Sequence, residues 1–188
     1  MEQILTVAGT EQGQQLLQQL LGEMGLTKIV QANTGLDARR FLESQSFELA
    51  VISAPLTDEY GEGVARLAYQ QGTTVILLAR AEHADAIRER IGKMGIYLLA
   101  KPVKRVIFLQ LLQCILLQQK QKEQLLAEKE KLQRQIQDAN LLNRAKLVLI
   151  QVLKMTEPQA HRYIEKQAMD LRITRREVAE GIISTYEN

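Results

Sequence analysis

Val75-Ile76-Leu77-Leu78-Ala79 is apolar at five consecutive positions, which is how a β-strand covered on both faces reads. Working outward, similar short runs recur: Leu49-Ala50-Val51-Ile52 and Ile96-Tyr97-Leu98-Leu99 on either side, then Lys28-Ile29-Val30-Gln31 and Ile4-Leu5-Thr6-Val7-Ala8 toward the N-terminus. Between the runs apolar residues return at helical spacing, as in Leu16, Leu17, Leu20, Leu21 and Met24, and these segments end at Gly25, Gly72 and Gly95. The alternation makes five βα units. Short parallel strands joined by right-handed crossovers predict an α/β, flavodoxin-like fold over residues 1–118: a doubly wound, parallel, five-stranded sheet.

The texture changes after Pro102. No Gly follows until Gly181 and no Pro until Pro158, so residues 103–154 read as one uninterrupted helix of roughly 75 Å. On a 3-4 spacing its seam runs Phe108, Leu111, Ile115, Gln118, Lys122, Leu125, Lys129, Leu132, Ile136, Ala139, Asn143. The apolar members, Phe108, Leu111, Ile115, Leu125, Leu132, Ile136 and Ala139, predict a coiled-coil linker over 104–140 that pairs two copies of the chain, because a long helix gains little stability without a partner. Two helix starts follow. Thr156-Glu157-Pro158-Gln159 offers a Thr cap, a Pro in the first turn and Gln at the third position, and Thr174-Arg175-Arg176-Glu177 is a second capping box. The stripe Ala160, Ile164, Ala168, Leu171 and the stripe Val178, Ile182, Ile183 can close with Ala145, Leu149, Val152 and Leu153 into a three-helix bundle over 141–188.

Composition excludes several classes of function. One Cys among 188 residues cannot form an internal disulfide, and with only His83 and His161 besides it, no zinc-type cluster assembles; neither a metal nor a cofactor is expected. The start of the chain lacks a basic signal-peptide region and no apolar run reaches the 18 or so residues that cross a bilayer, so a cytoplasmic protein away from membranes is expected. No acid–base pair, nucleophile–base pair or phosphate-cradling Gly loop suggests an enzyme, and Cys114, among leucines, reads as a buried thiol. Charge is divided: residues 1–103 hold 9 Lys+Arg and 12 Asp+Glu, whereas residues 104–188 hold 15 and 10, which makes the C-terminal part the one to meet a polyanion. Aromatic residues are 4%, so base stacking on exposed rings has little to draw on.

The βα order, the Lys101-Pro102 pair after the fifth run and the Gly95-to-Lys101 approach to it make residues 3–118 resemble a response-regulator receiver. That resemblance implies two metal-binding acids after the first strand, a phospho-accepting Asp after the third, a hydroxyl after the fourth and a Lys after the fifth. A hard cation takes oxygen ligands, and a carboxylate is the nucleophile that gives an acyl phosphate. Here those positions fall on Ala8, Gly9, Ser53, Ala79 and Lys101, and the strand-five aromatic on Leu98, so only Lys101 retains its residue type. The implied module is a pseudo-receiver that aspartyl phosphorylation does not control and that a regulatory protein contacts instead. Glu11 and Asp58 read as solvated surface acids, and Lys101 as a cap on the strand edge.

Asn143-Arg144-Ala145-Lys146 with Leu149, Met155-Thr156-Glu157-Pro158-Gln159-Ala160, Ala168-Met169-Asp170 with Arg172, and Val178-Ala179-Glu180 resemble the ANTAR domain of AmiR/NasR-type transcription antiterminators. Where that family often has Gly after the Arg-Ala-Lys run and Met three residues on, Leu147 and Ile150 stand here. The resemblance implies binding of RNA stem-loops in a transcript leader, preventing a terminator hairpin. Arg144 and Lys146, read as close together on one helix, and Arg172, Arg175 and Arg176 around the next turn would meet phosphate or stack on splayed bases; Asn143 and Gln167 would read base edges. Two rivals stand beside this reading: a receiver-linked DNA-binding transcription factor, and an interaction scaffold with no nucleic-acid role.

Overall fold

The computed structural model describes residues 3–91 and 94–186. The chain separates into two compact units, one ending at Ile115 and the other beginning at Leu116. In the first, strands β1 (Ile4–Ala8), β2 (Ile29–Ala32), β3 (Leu49–Ser53), β4 (Thr74–Arg80) and β5 (Ile96–Lys101) alternate with helices α1 (Glu11–Gly22), α2 (Gly35–Ser44), α3 (Glu62–Gln70) and α4 (Ala81–Ile91). All the strands are parallel, in the order β2-β1-β3-β4-β5. The consecutive apolar residues of β1, β3 and β4 are covered on both faces, and Leu5, Val7, Leu49, Ala50, Val51, Ile52, Val75, Ile76 and Leu77 are buried. Each large side chain so buried contributes about 1.5–3 kcal/mol of transfer free energy, which is why these three strands form the centre of the sheet.

The strands run slightly further than their apolar runs. β3 extends to Ser53, β4 to Arg80 and β5 to Lys101, because the ladder is made by backbone groups and continues past the last buried side chain. The N-terminal helix starts are capped: Thr10 Oγ1 accepts from Gly13 N–H at 3.1 Å, and Thr34 Oγ1 from Asp37 N–H at 3.0 Å. Gly72 follows α3 in the left-handed region at φ +83°, where a glycine carries no Cβ penalty. A buried polar link has no counterpart in the apolar pattern. Thr6 Oγ1 donates to Gln14 Oε1 at 2.9 Å, and Gln14 Nε2 donates to the Ala32 carbonyl at 2.6 Å, tying α1 to β1 and β2.

One helix, α5 (Arg105–Leu153), spans the change of texture, followed by α6 (Glu157–Leu171) and α7 (Arg175–Tyr186). The first turns of α5 belong to the first unit: Phe108, Leu112 and Ile115 are buried there, and Arg105 makes a salt bridge to Glu23 at 2.6 Å. Cys114 is exposed rather than buried. It sits two residues from Leu112, about 200° around a helix, and so points away from that packed face. Among the described residues no helix is long and apolar enough to cross a membrane.

Candidate nucleic-acid interface

The end of α5, α6 and α7 close around Ala145, Leu149, Ala160, Ile164, Val178, Ala179 and Ile182. Ala145, Ala160 and Ala179 have no exposed surface, so small side chains occupy the positions where the helices approach. Both starts expected from sequence are built as boxes. Thr156 N–H donates to Gln159 Oε1 at 2.8 Å ahead of Pro158. Thr174 N–H donates to Glu177 Oε2 at 2.7 Å, and Glu177 N–H returns to Thr174 Oγ1 at 3.2 Å. The Thr174 backbone donor holds the Glu177 carboxyl below the usual carboxylate range. Between the two helices Arg172 adopts the left-handed conformation (φ 55°, ψ 39°) and Ile173 N–H reaches back to the Ala168 carbonyl at 3.1 Å. That compact turn delivers Arg172, Arg175 and Arg176 within five residues.

Three of the seven candidate RNA-contacting residues come together. Asn143, Lys146 and Arg175 line one hollow of about 180 Å³, with His161 and Glu165 beside them and Leu142 and Ile164 beneath. The Glu165 carboxylate lies 3.4 Å from His161 Nε2 and 3.5 Å from Arg175 Nη1, and Lys146 Nζ lies 3.1 Å from Glu157. Arg176 does not line the hollow: its guanidinium pairs with Asp138 at 2.7 Å and Glu180 at 2.9 Å, hydrogen bonds that raise its pKa, the Glu180 bond most. Arg144 does not join Lys146. Both are on α5, but two helical residues are about 200° apart, so the exposed Arg144 points elsewhere. Gln167 is half-buried on α6 and Arg172 is exposed at its end, neither of them on the hollow. His161 and Glu165 were not singled out by the sequence reading; their i, i+4 spacing is the signal that would have found them.

The proposed seam on α5 divides. Phe108 and Ile115 lie inside the first unit's own core at 0% and 1% exposure, which corrects their assignment: a side chain already packed within its chain cannot face a second copy. Leu111 is half-buried. Leu125, Leu132 and Ile136 are 65%, 52% and 61% exposed, an apolar stripe left uncovered by the chain itself, and Ala139 lines the hollow.

In the first unit the five receiver positions gather at one edge of the sheet. Ala8 pairs with Ser53, Ser53 with Leu78, and Ala79 with Ala100, so Ala8, Ser53, Ala79 and Lys101 all sit at the C-terminal ends of their strands. None of these residues carries a carboxylate. A Cβ on Gly9 would lie 3.1 Å from the Thr57 backbone N and 3.2 Å from the Thr57 methyl, so the loop after β3 packs closely against Gly9 and any side chain there would press on it. Asp58 has a different task from a free surface acid. Its carboxylate accepts from Gly35 N–H at 2.8 Å and Leu36 N–H at 3.0 Å, capping α2, and the Gly35 bond above all holds it below the usual carboxylate range. Next to it, Glu59 takes Arg39 through two hydrogen bonds. Lys101 Nζ donates to the Ala54 carbonyl at 2.6 Å rather than capping the strand edge; burial first, then Arg80, lowers its pKa.

Residues 130–183 match the ANTAR domain. The transcriptional regulatory protein PdtaR of Mycobacterium tuberculosis is 23% identical over 170 residues, covering 90% of this chain and 83% of that protein. The receiver domain of an HD domain-containing protein from Pseudomonas fluorescens is similar in structure, with a TM-score of 0.56 and 29% identity over 65% of this chain and 91% of that one. A receiver domain of a sensor histidine kinase from Pseudomonas aeruginosa, at TM-score 0.50 and 25% identity, covers 60% of this chain and 94% of its own, and holds a magnesium ion in its active-site cleft.

Proposed function

We propose that this chain, an ANTAR-domain, response-regulator-like protein with a receiver domain, binds stem-loops in transcript leaders and prevents a terminator hairpin from forming, under control that does not pass through aspartyl phosphate. The carrying observation is the hollow of the three-helix bundle, where Asn143, Lys146 and Arg175 converge on a surface with an apolar floor. Cations supply the salt-dependent attraction to phosphate, and an amide beside them supplies a donor and an acceptor for a base edge. It acts as a regulator, not an enzyme.

Phosphate independence is supported by chemistry at the sheet edge. Ala8, Gly9 and Ser53 offer no carboxylate to hold a divalent cation or accept a phosphoryl group, Thr57 lies over Gly9, and Lys101 is engaged by the Ala54 carbonyl. The exposed stripe of Leu125, Leu132 and Ile136 supports pairing of two chains, which presents two bundles to neighbouring hairpins and raises effective concentration without new contacts. With its chemistry absent, the receiver serves as a surface for a regulatory protein.

A gel shift comparing a hairpin RNA with duplex DNA of the same sequence tests the assignment. Preference for the hairpin, weakened by added salt, is expected; preference for the duplex identifies a DNA-binding factor, and no binding to either identifies a scaffold.

A further inference from the structure

We infer that the hollow formed by α5, α6 and α7 seats a single unpaired base from an RNA loop, an inference that rests on the RNA-binding reading above. Size comes first. At about 180 Å³ it is smaller than the roughly 300–1,000 Å³ of sites for drug-sized ligands, which leaves room for a group no larger than one compact ring system. The chemistry of the wall agrees. Ala139, Leu142 and Ile164 are apolar and accept the face of a ring, whereas Asn143 brings a paired donor and acceptor suited to a base edge.

The charged groups divide the same way. Lys146 and Arg175 lie on the lining, where they meet the phosphates on either side of an inserted base. Glu165 does not oppose this, because its carboxylate lies between His161 (3.4 Å) and Arg175 (3.5 Å) and steadies both side chains. The His161 ring is a planar group on which a splayed base stacks, which offsets the scarcity of aromatic residues in this chain. A protein groove recognised by its apolar wall alone would have no use for Asn143 and two cations at the same place.

Two variants separate the hollow from general charge. Ala139→Leu fills it from the wall without altering any charge, and Asn143→Ala removes the amide from an exposed helical position at which Ala is well tolerated. The probe is a pool of RNA hairpins with a fixed stem and randomised loop, selected on the full-length chain; each loop position of the selected hairpin is then made abasic in turn. One abasic position is expected to weaken binding roughly tenfold or more. Both variants are expected to lose that discrimination while binding the abasic hairpin as the wild type does, with the oligomeric state unchanged. Discrimination retained in both variants, or a wild type that binds the hairpin but is indifferent to every abasic position, overturns the base-seating role and leaves RNA binding standing. Failure to bind any hairpin in the pool overturns both.

Discussion

Arg172 shows how one residue can carry two separable effects. Its left-handed backbone costs a non-glycine residue about 1 kcal/mol, yet it ends α6 next to Arg175 and Arg176. Arg172→Gly is therefore expected to raise the stability of the bundle by about 1 kcal/mol in urea denaturation while weakening hairpin binding and shallowing its salt dependence. Lower stability would show that the side chain, not the backbone, sets the turn. Single residues were also where the sequence was least legible. Ala8, Gly9, Ser53, Ala79 and Lys101 follow from strand register, and register is written in the apolar runs. The bonds of Asp58 to Gly35 and Leu36, of Glu59 to Arg39 and of Gln14 to Ala32 join positions 18 to 23 residues apart, and no periodicity within one element encodes them.

Helices α2 and α5 show what each element asks of its ends and faces. The Asp58 carboxyl has its pKa lowered by the backbone donors of α2, so its stabilising contribution is complete above its unfolded pKa and is lost as pH falls through the depressed folded value. Asp58→Asn is expected to lower the melting temperature at neutral pH, with the difference from wild type shrinking under acid; a difference independent of pH would contradict a charge-based cap. On α5 the apolar spacing identified one continuous helix but not which of its residues the chain uses itself. Both uses need the same residue types at the same spacing, and only the packing of the first unit takes up Phe108 and Ile115. Phe108→Ala is expected to cost about 3–5 kcal/mol in unfolding free energy. Replacing Leu132 and Ile136 together with Ser is expected to leave the unfolding of the first unit unchanged and to shift sedimentation from dimer to monomer. A dimer that survives this double substitution would remove the stripe as the seam.

For the whole molecule, the division of labour follows from where charge chemistry is present and where it is missing. The sheet edge that would hold a cation and a phosphoryl group has alanine, glycine and serine at its acidic positions, and its one surviving Lys101 bonds to a backbone carbonyl. The bundle at the other end of the sequence gathers cations and an amide around a hollow. The order of βα units, the long helix and both capping boxes could be read from residue patterns because each is specified locally. The hollow could not, since it is made where three helices meet, and Arg144 and Lys146, neighbours along the chain, are separated by about 200° around the helix. The most direct measurement is the affinity of the purified chain for a leader hairpin, before and after incubation with acetyl phosphate and magnesium, with duplex DNA of the same sequence as the control. Hairpin binding well above duplex binding is expected, with the same affinity in both conditions and no gain in protein mass. A hairpin affinity that appears only after phosphoryl transfer, or one no greater than that for the duplex, would contradict that expectation.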